Sequence, residues 1–491
     1  MTPPPELLIR PVDLPRPRGS DVWRRLAQAA WSSTRHLAQI GGSAARRKPV
    51  DARVIANAVR AVFDDLGGTF SKFGQLIGSA PSLFGDDVAA SFRSTLDGVA
   101  PIPFPQVRAT VEEALGLPMS RLFASFDEQP IAAASVAAVH RAVLLDGRTV
   151  AVKVLRPDVE YAMAVDLAVM QPLFDFLGHQ IAIGVLGELP ALISGLAEQL
   201  SEELDLRNEA RSMRWFDHLC GSLDLERVVV PTPIDGFVTR RVLAMTYIDG
   251  VSVDAVAEIE AMGIDPAPLV QDCVRAWFAS ALTTGAFHGD VHAGNLLITP
   301  DSKLAILDWG IVGRFDDHTK RFFRRMIEGV LGDETAWADV WTEMEIAYGP
   351  VMQENLGLTD EQMVQLIRMQ IEPLFLRPFG EVKLSDLITN TNTTREMVGA
   401  NGPNDAKKSW YAMWQAEREF RRGQRDSGSR DTGFDRGTFL LGKQLVYFER
   451  YGKLFMPESP LMWDPSVFRR LLDETATQAP IQTPTDEAIP A

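Results

Sequence analysis

Alternation of apolar and polar positions predicts strands in the middle of the chain. The runs 139–145 and 148–155 are rich in Val, Ala and Leu and flank Asp146-Gly147, a pair typical of tight β-hairpin turns. These runs therefore predict a hairpin. Two further strands are predicted downstream, at 227–230 and 237–247.

Helical spacing of apolar residues dominates elsewhere. A helix is predicted over Phe104–Leu115, because prolines stand at its start and Gly116 follows its end. A second helix is predicted over 314–331, where one apolar stripe consists of Phe322, Phe323, Met326, Ile327 and Val330. That stripe is typical of a core-facing helix rather than a cofactor site.

Three polar residues follow short apolar strands further along the chain. Asp290 and Asn295 lie within the segment 287–298, and Asp308 follows the apolar run 304–307. Kinase-type phosphoryl-transfer enzymes arrange their catalytic Asp, Asn and metal-binding Asp in this order. In that chemistry Asp290 would orient or deprotonate the acceptor hydroxyl. Asn295 and Asp308 would hold Mg²⁺ against ATP or ADP, because magnesium prefers hard oxygen ligands.

These residues also have two simpler interpretations, a turn-forming role and a transition-metal site. Asp is common in loops as a turn former, and His288 with His292 forms a pair that could bind a transition metal. A zinc site would require further His or Cys, yet the chain has only Cys220 and Cys273, both distant in sequence. The kinase interpretation is therefore preferred.

Lys153 ends the strand-like stretch Val-Ala-Val-Lys, which matches the kinase strand whose lysine reaches the α- and β-phosphates. Alone it is a weak signal, because an edge-strand lysine looks the same. A carboxylate must position this lysine, and Glu203 and Glu209 are both candidates on a predicted helix. The acidic residues there would otherwise form a solvated face.

The segment before the hairpin lacks the glycines of a conventional phosphate-binding loop. Alanine has a Cβ, so this backbone approaches phosphate less freely than a glycine loop does. Nucleotide handling is therefore expected to differ from that of ordinary kinases. The candidate nucleotide-binding residues here are Ala132, Ala133, Ala134 and Ser135. Adenine is expected to bond to the backbone at a hinge that includes Met245 and Tyr247.

These motifs together resemble the UbiB family of atypical kinases, also called the ABC1, AarF or ADCK family. The resemblance includes the diagnostic KxGQ motif, present here as Lys72-Phe73-Gly74-Gln75, and the ExD motif, Glu203-Leu204-Asp205. It implies an α+β, protein-kinase-like two-lobed fold with an N-terminal helical extension and a mostly helical large lobe. The implied extension folds over the active site and carries Lys72 towards the place where a peptide substrate would otherwise lie.

The expected organisation has five parts. They are a loose N-terminal segment (1–48), a helical extension with the KxGQ motif (49–125), a small lobe (126–250), a large lobe (251–472) and a disordered tail (473–491).

The resemblance also implies an activity. Members of the family are associated with ATPase or small-molecule and lipid-linked kinase behaviour in isoprenoid quinone or lipid metabolism. The expected partners are a lipid or quinone-precursor acceptor and a biosynthetic complex. By similarity Lys72 pairs with an acidic group of the Glu203-Leu204-Asp205 motif and Lys153 pairs with Glu209, with the exchanged pairing left open.

Two alternative functions remain at this point. Small-molecule phosphotransferases of the aminoglycoside or choline kinase type share the His-Gly-Asp and Asp-Trp-Gly loops, although KxGQ and the alanine segment argue against them. A pseudokinase scaffold would keep nucleotide binding without turnover. The departures from the family pattern at Ala138, Val291 and Ala293 indicate a divergent member without removing a metal ligand.

Composition narrows the partners and the location. The 65 acidic residues exceed the 49 basic residues by 16 charges, which argues against a broad nucleic-acid-binding surface. Two cysteines do not make a disulfide framework. A cytoplasmic location is expected, because the N-terminus lacks a signal-peptide pattern. Any membrane contact is expected to be peripheral, at the inner face of the plasma membrane. The basic and aromatic stretch 399–437 has residue types found at bilayer surfaces, but its acidic residues favour a solvated loop and helix.

Overall fold

The computed structural model describes residues 7, 9–45, 52–78, 86–92, 101–180, 185–348, 358–382 and 436–476. The helices are α1 (Gly19–Ala45), α2 (Ala52–Leu66), α3 (Gly68–Gly78), α4 (Asp86–Phe92), α5 (Phe104–Leu115), α6 (Val159–Gln180), α7 (Val185–Glu203), α8 (Leu206–Ser222), α9 (Val256–Ala261), α10 (Ala267–Thr284), α11 (Asp317–Val330), α12 (Ala336–Tyr348), α13 (Asp360–Leu376), α14 (Arg436–Phe455) and α15 (Pro465–Ala476). The strands are β1 (Phe123–Phe126), β2 (Ala132–Ala133), β3 (Ala137–Leu144), β4 (Thr149–Leu155), β5 (Val228–Val229), β6 (Pro233–Val238), β7 (Val242–Thr246), β8 (Val251–Ser252), β9 (Ala286–His288), β10 (Leu296–Ile298), β11 (Leu304–Ile306) and β12 (Val312–Arg314).

The small lobe is built on an antiparallel sheet in the order β1-β3-β4-β7-β6, with β2 added beside β3. Strand β4 lies in its centre and is almost wholly buried. Successive side chains of a strand point to opposite faces, so Val150, Val152 and Val154 share one face. They pack in a core with α5 residues such as Val107. Lys153 must therefore point to the opposite face, towards the large lobe.

The large lobe combines helices with two small sheets. Strands β5, β11, β10 and β8 form one sheet, and β9 pairs with β12 in the other. Helix α10 is buried along most of its length and contributes Trp277 and Phe278 to an aromatic core. This core supports the loops that follow β9 and β11, which carry the polar residues of the candidate site.

Several local predictions are confirmed. Helix α5 has the predicted bounds and ends at Gly116 in the left-handed region, with φ of 70°. Strands β3 and β4 form the predicted hairpin, with Val143 opposite Thr149. Helix α11 lies within the stretch 314–331 that was predicted to be helical.

Two strand predictions are corrected. The strand predicted at 227–230 was assigned to the small lobe, but β5 pairs in parallel with β11 in the large lobe. Helix α8 carries the chain across before this strand begins, which sequence periodicity does not reveal. The single strand predicted at 237–247 is two antiparallel strands, because the chain turns between Val238 and Val242, where Thr239 N–H donates to the Val242 carbonyl oxygen.

The expectation of a loose segment over 1–48 is also corrected. Helix α1 spans 27 of these residues. Its inward face is mixed: Val22 and Ala29 pack against the core, and Arg25 donates to Asp166 Oδ1 at 2.6 Å and to the Leu66 carbonyl oxygen at 2.7 Å. Ser32 donates to Asp65 at 2.8 Å. Apolar residues on both the inward and the outward face obscure the amphipathic pattern by which a surface helix is recognised in a sequence.

Two further predictions concern residues outside the described ranges. The tail 477–491 and the basic and aromatic stretch up to residue 435 belong to this group, although α15 continues past the expected boundary at 472. Within the described ranges, no helix combines the length and the apolar character needed to cross a bilayer.

Candidate functional site

Lys153 lies at the centre of a buried charge cluster between the lobes. Its Nζ is 2.8 Å from Glu209 Oε2 and 3.1 Å from Asp308 Oδ1. Lys153 is 8% exposed, and the Glu209 side chain is 3% exposed. The Lys153 ammonium group of β4 is therefore contacted by one carboxylate from α8 and one from the segment after β11.

Glu209 reaches Lys153 from the first turn of α8. Asp205 is the N-cap of this helix. Its side chain accepts a hydrogen bond from Arg207 N–H at 3.0 Å and forms an ion pair with the Arg207 guanidinium. Such a cap satisfies an otherwise free backbone donor and fixes the start of the helix. The last residue of the ExD motif thus positions Glu209 without contacting either lysine.

The KxGQ lysine joins the same cluster from α3. Lys72 Nζ is 3.4 Å from Glu203 Oε2, and Gln199 donates to the other oxygen of Glu203 at 3.1 Å. Of the two pairings left open by the sequence, the structure has Lys72 with Glu203 and Lys153 with Glu209. The acidic stretch is therefore buried rather than a solvated face.

Asp290 lies in the loop after β9 and faces helix α14. Its Oδ1 is 2.6 Å from Lys443 Nζ, and both side chains are largely buried, at 17% and 12% exposed. Burial by itself would raise the pKa of Asp290, but Lys443 and His292 hold the pKa below the ordinary value. Asp290 is therefore a carboxylate at neutral pH and a weak base.

Asn295 stands just before β10 and Asp308 stands two residues after β11, and these two strands are antiparallel neighbours, so the two residues lie at the same end of the pair. Leu307 N–H donates to the Asn295 carbonyl oxygen at 2.9 Å. The Asn295 side-chain amide donates to the Asp290 carbonyl oxygen at 2.9 Å, which orients its own Oδ1. Asp308 Oδ1 accepts from Lys153 and from Gly310 N–H at 3.0 Å. Among the described residues, Asn295 Oδ1 and Asp308 Oδ2 have no hydrogen-bond donor, so one oxygen of each side chain is available for a cation.

The donor set fits magnesium. Mg²⁺ takes one or two side-chain oxygens and completes its coordination with water and phosphate. Among the described residues no group of three or more His, Cys, Asp or Glu side chains forms a fuller metal site. The zinc reading of His288 and His292 is thus without a third ligand in the described chain.

The two carboxylates, Glu209 and Asp308, share Lys153 unequally. Burial would raise the pKa of Asp308, but Lys153, Gly310 N–H and the more distant Lys72 keep the pKa well below its usual range. The Asp308 side chain is 45% exposed although many protein atoms surround it, as expected for a group on a cleft wall. Burial raises the pKa of Glu209 to about 7, because Lys153 offsets only part of that penalty.

The alanine segment forms a tight turn at the edge of the small-lobe sheet. Ala132 and Ala133 pair with β3, and Ala134 N–H donates to the Ala137 carbonyl oxygen at 2.8 Å. The three alanines are exposed. Ser135 Oγ is buried and has no hydrogen-bond partner among the described residues, so it is a free polar group beside the turn.

The two hinge residues differ in what they offer. Met245 is 6% exposed and lies inside β7, between Ala151 of β4 and Pro233 of β6. Tyr247 N–H donates to the Thr149 carbonyl oxygen at 3.3 Å, so Tyr247 has only its carbonyl oxygen for an adenine. Adenine binding by either residue stays a prediction.

Sequence reasoning missed helix α14, which contacts the site from the C-terminal part of the chain. Besides Lys443, its Gln444 accepts from Val291 N–H at 3.2 Å, and Tyr451 donates to the Val291 carbonyl oxygen at 2.8 Å. Arg436 and Arg314 both pair with Glu202. The only available signal was the spacing of polar residues along one helix face, which does not identify a catalytic partner.

His288 is a neutral imidazole that hydrogen-bonds the loop after β9 and the segment after β11. Asp290 N–H donates to Nδ1 at 3.1 Å, so the proton is on Nε2, which donates to the Asp308 carbonyl oxygen at 2.6 Å. Burial lowers the pKa of His288 to about 4. A proton added to Nδ1 would also face the Asp290 N–H.

This burial predicts an acid-sensitive fold. The folded-state pKa lies below the unfolded value, so the folded state binds fewer protons and the contribution of His288 is lost as the pH falls from about 6.5 towards 4. We expect a loss of about 2 kcal/mol between pH 7 and pH 5 in urea unfolding. In His288→Gln this part of the loss should be missing. In His36→Gln, a surface control, it should remain, and equal pH slopes in all three proteins would contradict the assignment.

The architecture and the site together define a protein-kinase-like protein with an α+β, two-lobed fold. The chain belongs to the ABC1 family of atypical kinases: the ABC1 atypical kinase-like domain matches residues 94–338. The chain is 32% identical over 449 residues to the uncharacterized protein Rv0647c of Mycobacterium tuberculosis (strain ATCC 25618 / H37Rv). The alignment covers 90% of this chain and 83% of that protein.

Two further relatives carry descriptive names. One is an uncharacterized aarF domain-containing protein kinase, At5g05200, chloroplastic, of Arabidopsis thaliana, 30% identical over 83% of this chain and 73% of that protein. The other is a probable protein kinase UbiB of Marinobacter nauticus, 31% identical over 67% of this chain and 60% of that protein. The family resemblance proposed from the motifs is therefore confirmed.

Proposed function

We propose that this protein binds ATP or ADP with Mg²⁺ and, when ATP is bound, catalyses transfer or hydrolysis of its γ-phosphoryl group. The observation that carries the proposal is that Glu209 and Asp308 both lie within 3.1 Å of Lys153 Nζ, while Leu307 next to Asp308 is hydrogen-bonded to Asn295. Kinase-type enzymes need this combination of a positioned lysine and metal-binding oxygens.

The nucleotide side of the cleft has a role for each group. Lys153, held by Glu209, would hydrogen-bond the α- and β-phosphates, and Ser135 Oγ would donate to a phosphate oxygen near the alanine turn. Asn295 and Asp308 would hold the metal, which when bound neutralises charge on the β- and γ-phosphate oxygens. Nucleotide binding would replace the Lys153–Asp308 ion pair by a contact of Lys153 with phosphate and a contact of Asp308 with the metal.

Asp290 would act mainly by orientation. Its lowered pKa makes it a poor proton acceptor, and a loose phosphoryl-transfer transition state requires little proton removal before bond cleavage. The carboxylate would accept a hydrogen bond from the acceptor hydroxyl and aim its oxygen at the γ-phosphorus. Lys443 holds the same carboxylate in place.

We further propose a lipid or quinone-precursor acceptor rather than a protein. Helix α3 brings Lys72 against Glu203 on one side of the cleft. Only residues 315 and 316 separate β12 from α11, which leaves little chain to bind a peptide. A small hydroxyl compound or a lipid headgroup needs less room than a polypeptide.

Thermal unfolding with and without Mg²⁺ tests nucleotide binding. We expect MgATP or MgADP to raise the melting temperature of the wild type, because a ligand that binds only the folded state stabilises it. Asp308→Asn should lose the Mg²⁺-dependent part of this rise. Asp301→Asn is a matched control, because Asp301 is an exposed strand-turn aspartate paired with Lys303. An unchanged rise in Asp308→Asn would overturn the metal role of Asp308.

Turnover needs a separate measurement. ATP hydrolysis by the wild type, purified with its endogenous lipids, is compared with and without membranes or quinone-precursor mimics. Stimulation supports the lipid-linked acceptor. Binding without any turnover would instead identify a nucleotide-binding pseudokinase.

A further inference from the structure

Helix α1 presents an apolar face to solvent, which we call the outer face of α1. It consists of two adjacent ridges of residues spaced four apart, which are Trp23, Ala27 and Trp31, and Leu26, Ala30 and Thr34. All six residues are exposed. Trp23 and Trp31 keep 72% and 75% of their surface, the largest exposures among the large hydrophobic residues described. Two tryptophans so exposed on one helix face are unusual for a surface that contacts only water.

The exposure does not arise from a detached helix. The opposite face of α1 is anchored to α6 and to the end of α2, through the Arg25–Asp166 ion pair at 2.6 Å and the hydrogen bond from Arg25 to Leu66. Tyr161 of α6 donates to Asp21 at 2.7 Å. The protein therefore holds the outer face of α1 outward by specific polar contacts.

The N-terminal segment of the sequence, which includes α1, differs in net charge from the rest of the chain. Residues 1–48 contain nine Lys and Arg against three Asp and Glu, whereas residues 49–491 contain 40 against 62. The N-terminal segment thus has six excess positive charges and the remainder has 22 excess negative charges. Arg35 continues the ridge that includes Trp31, and Arg24 follows Trp23; the Arg24 and Arg35 side chains are 71% and 67% exposed. Their ion pairs with Asp21 and Asp65 are surface contacts that contribute little.

From this juxtaposition we infer that the outer face of α1 docks on an anionic lipid bilayer. Tryptophan prefers the boundary between headgroups and acyl chains, because its ring is apolar and its N–H is polar. Arginines beside an interfacial apolar face are attracted to anionic headgroups. A second copy of the chain is a poorer occupant, because symmetric pairing would bring two basic segments together. The inference stands independently of nucleotide binding.

Co-sedimentation of the full chain with lipid vesicles tests this surface. The wild type is expected to bind phosphatidylglycerol vesicles about tenfold more tightly than phosphatidylcholine vesicles, and added salt should weaken the binding. The double variant Trp23→Gln/Trp31→Gln is expected to lose about tenfold or more in affinity for phosphatidylglycerol vesicles. Its melting temperature should not change, because both side chains face solvent. Leu145→Gln is the matched control: Leu145 is 63% exposed on the small-lobe hairpin, and its loss should not affect binding.

Three results would overturn the inference. The first is wild-type protein that does not bind phosphatidylglycerol vesicles. The second is a double variant that binds them as the wild type does, which would assign the membrane contact to another surface. The third is a wild-type dimer, detected by light scattering, that the double variant loses while vesicle binding is absent. That result would assign the outer face of α1 to a second copy of the chain.

Discussion

Lys153→Met is expected to lower the free energy of unfolding by about 3 kcal/mol at pH 7, because it leaves Glu209 buried without its cation. The loss should shrink as the pH falls. Without Lys153 the pKa of Glu209 rises further, so protonation relieves the penalty. Urea unfolding at pH 7 and pH 5.5 measures both effects. Lys303→Met, which removes an exposed lysine paired with Asp301, should cost less than about 1 kcal/mol.

The same variant is expected to weaken MgATP binding about tenfold to hundredfold, which corresponds to one lost charge-assisted hydrogen bond. The double variant Lys153→Met/Glu209→Gln separates the two effects. Replacing the carboxylate by an amide should recover much of the lost stability but none of the lost affinity. Full stability in Lys153→Met alone would contradict the buried pairing, and unchanged affinity would remove Lys153 from the nucleotide site.

Lys443→Met is expected to reduce ATP turnover about tenfold to hundredfold, because Asp290 loses the group that holds it in position. The MgATP-induced rise in melting temperature should persist, since Lys443 contacts Asp290 and none of the nucleotide-side residues described. This combination distinguishes Lys443→Met from Lys153→Met, in which nucleotide binding itself is weakened.

Two variants control for a merely structural role of Lys443. Lys453→Met changes a lysine on the same helix that pairs with Glu449, so turnover should not change. Lys443→Arg keeps a cation within reach of Asp290 and should recover part of the activity. Turnover equal to wild type in a folded Lys443→Met protein would show that the ion pair has no part in phosphoryl transfer.

The sequence predicted residues whose contacts are local or carried by a motif. The β3–β4 hairpin followed from Asp146-Gly147, since a tight turn needs only adjacent residues. Alternation along β4 then put Lys153 on the cleft face once the valines filled the other face. The closeness of Asn295 and Asp308 followed from two short strands that pair with each other.

Contacts between distant segments were less accessible. Lys443 is 153 positions from Asp290, and helix α14 lies beyond the part of the chain that matches the ABC1 domain, 94–338. Helix α1 was missed because its apolar residues are divided between two faces: Val22 and Ala29 pack against the core, whereas Trp23 and Trp31 are exposed. Strand β5 was assigned to the wrong lobe for a similar reason: its two residues suit either sheet, and only the path of α8 selects one.

By itself, the sequence determined the family, the β3–β4 hairpin, helices α5 and α11, and the types of side chain available for phosphate and metal. Only the tertiary structure decided that Lys72 meets Glu203, that Lys153 is shared by Glu209 and Asp308, and that Lys443 meets Asp290. The physical reason is how far apart in the sequence the interacting residues lie. Turns and helix caps depend on neighbouring residues, whereas a buried ion pair forms only where packed helices and strands exclude water around both charges.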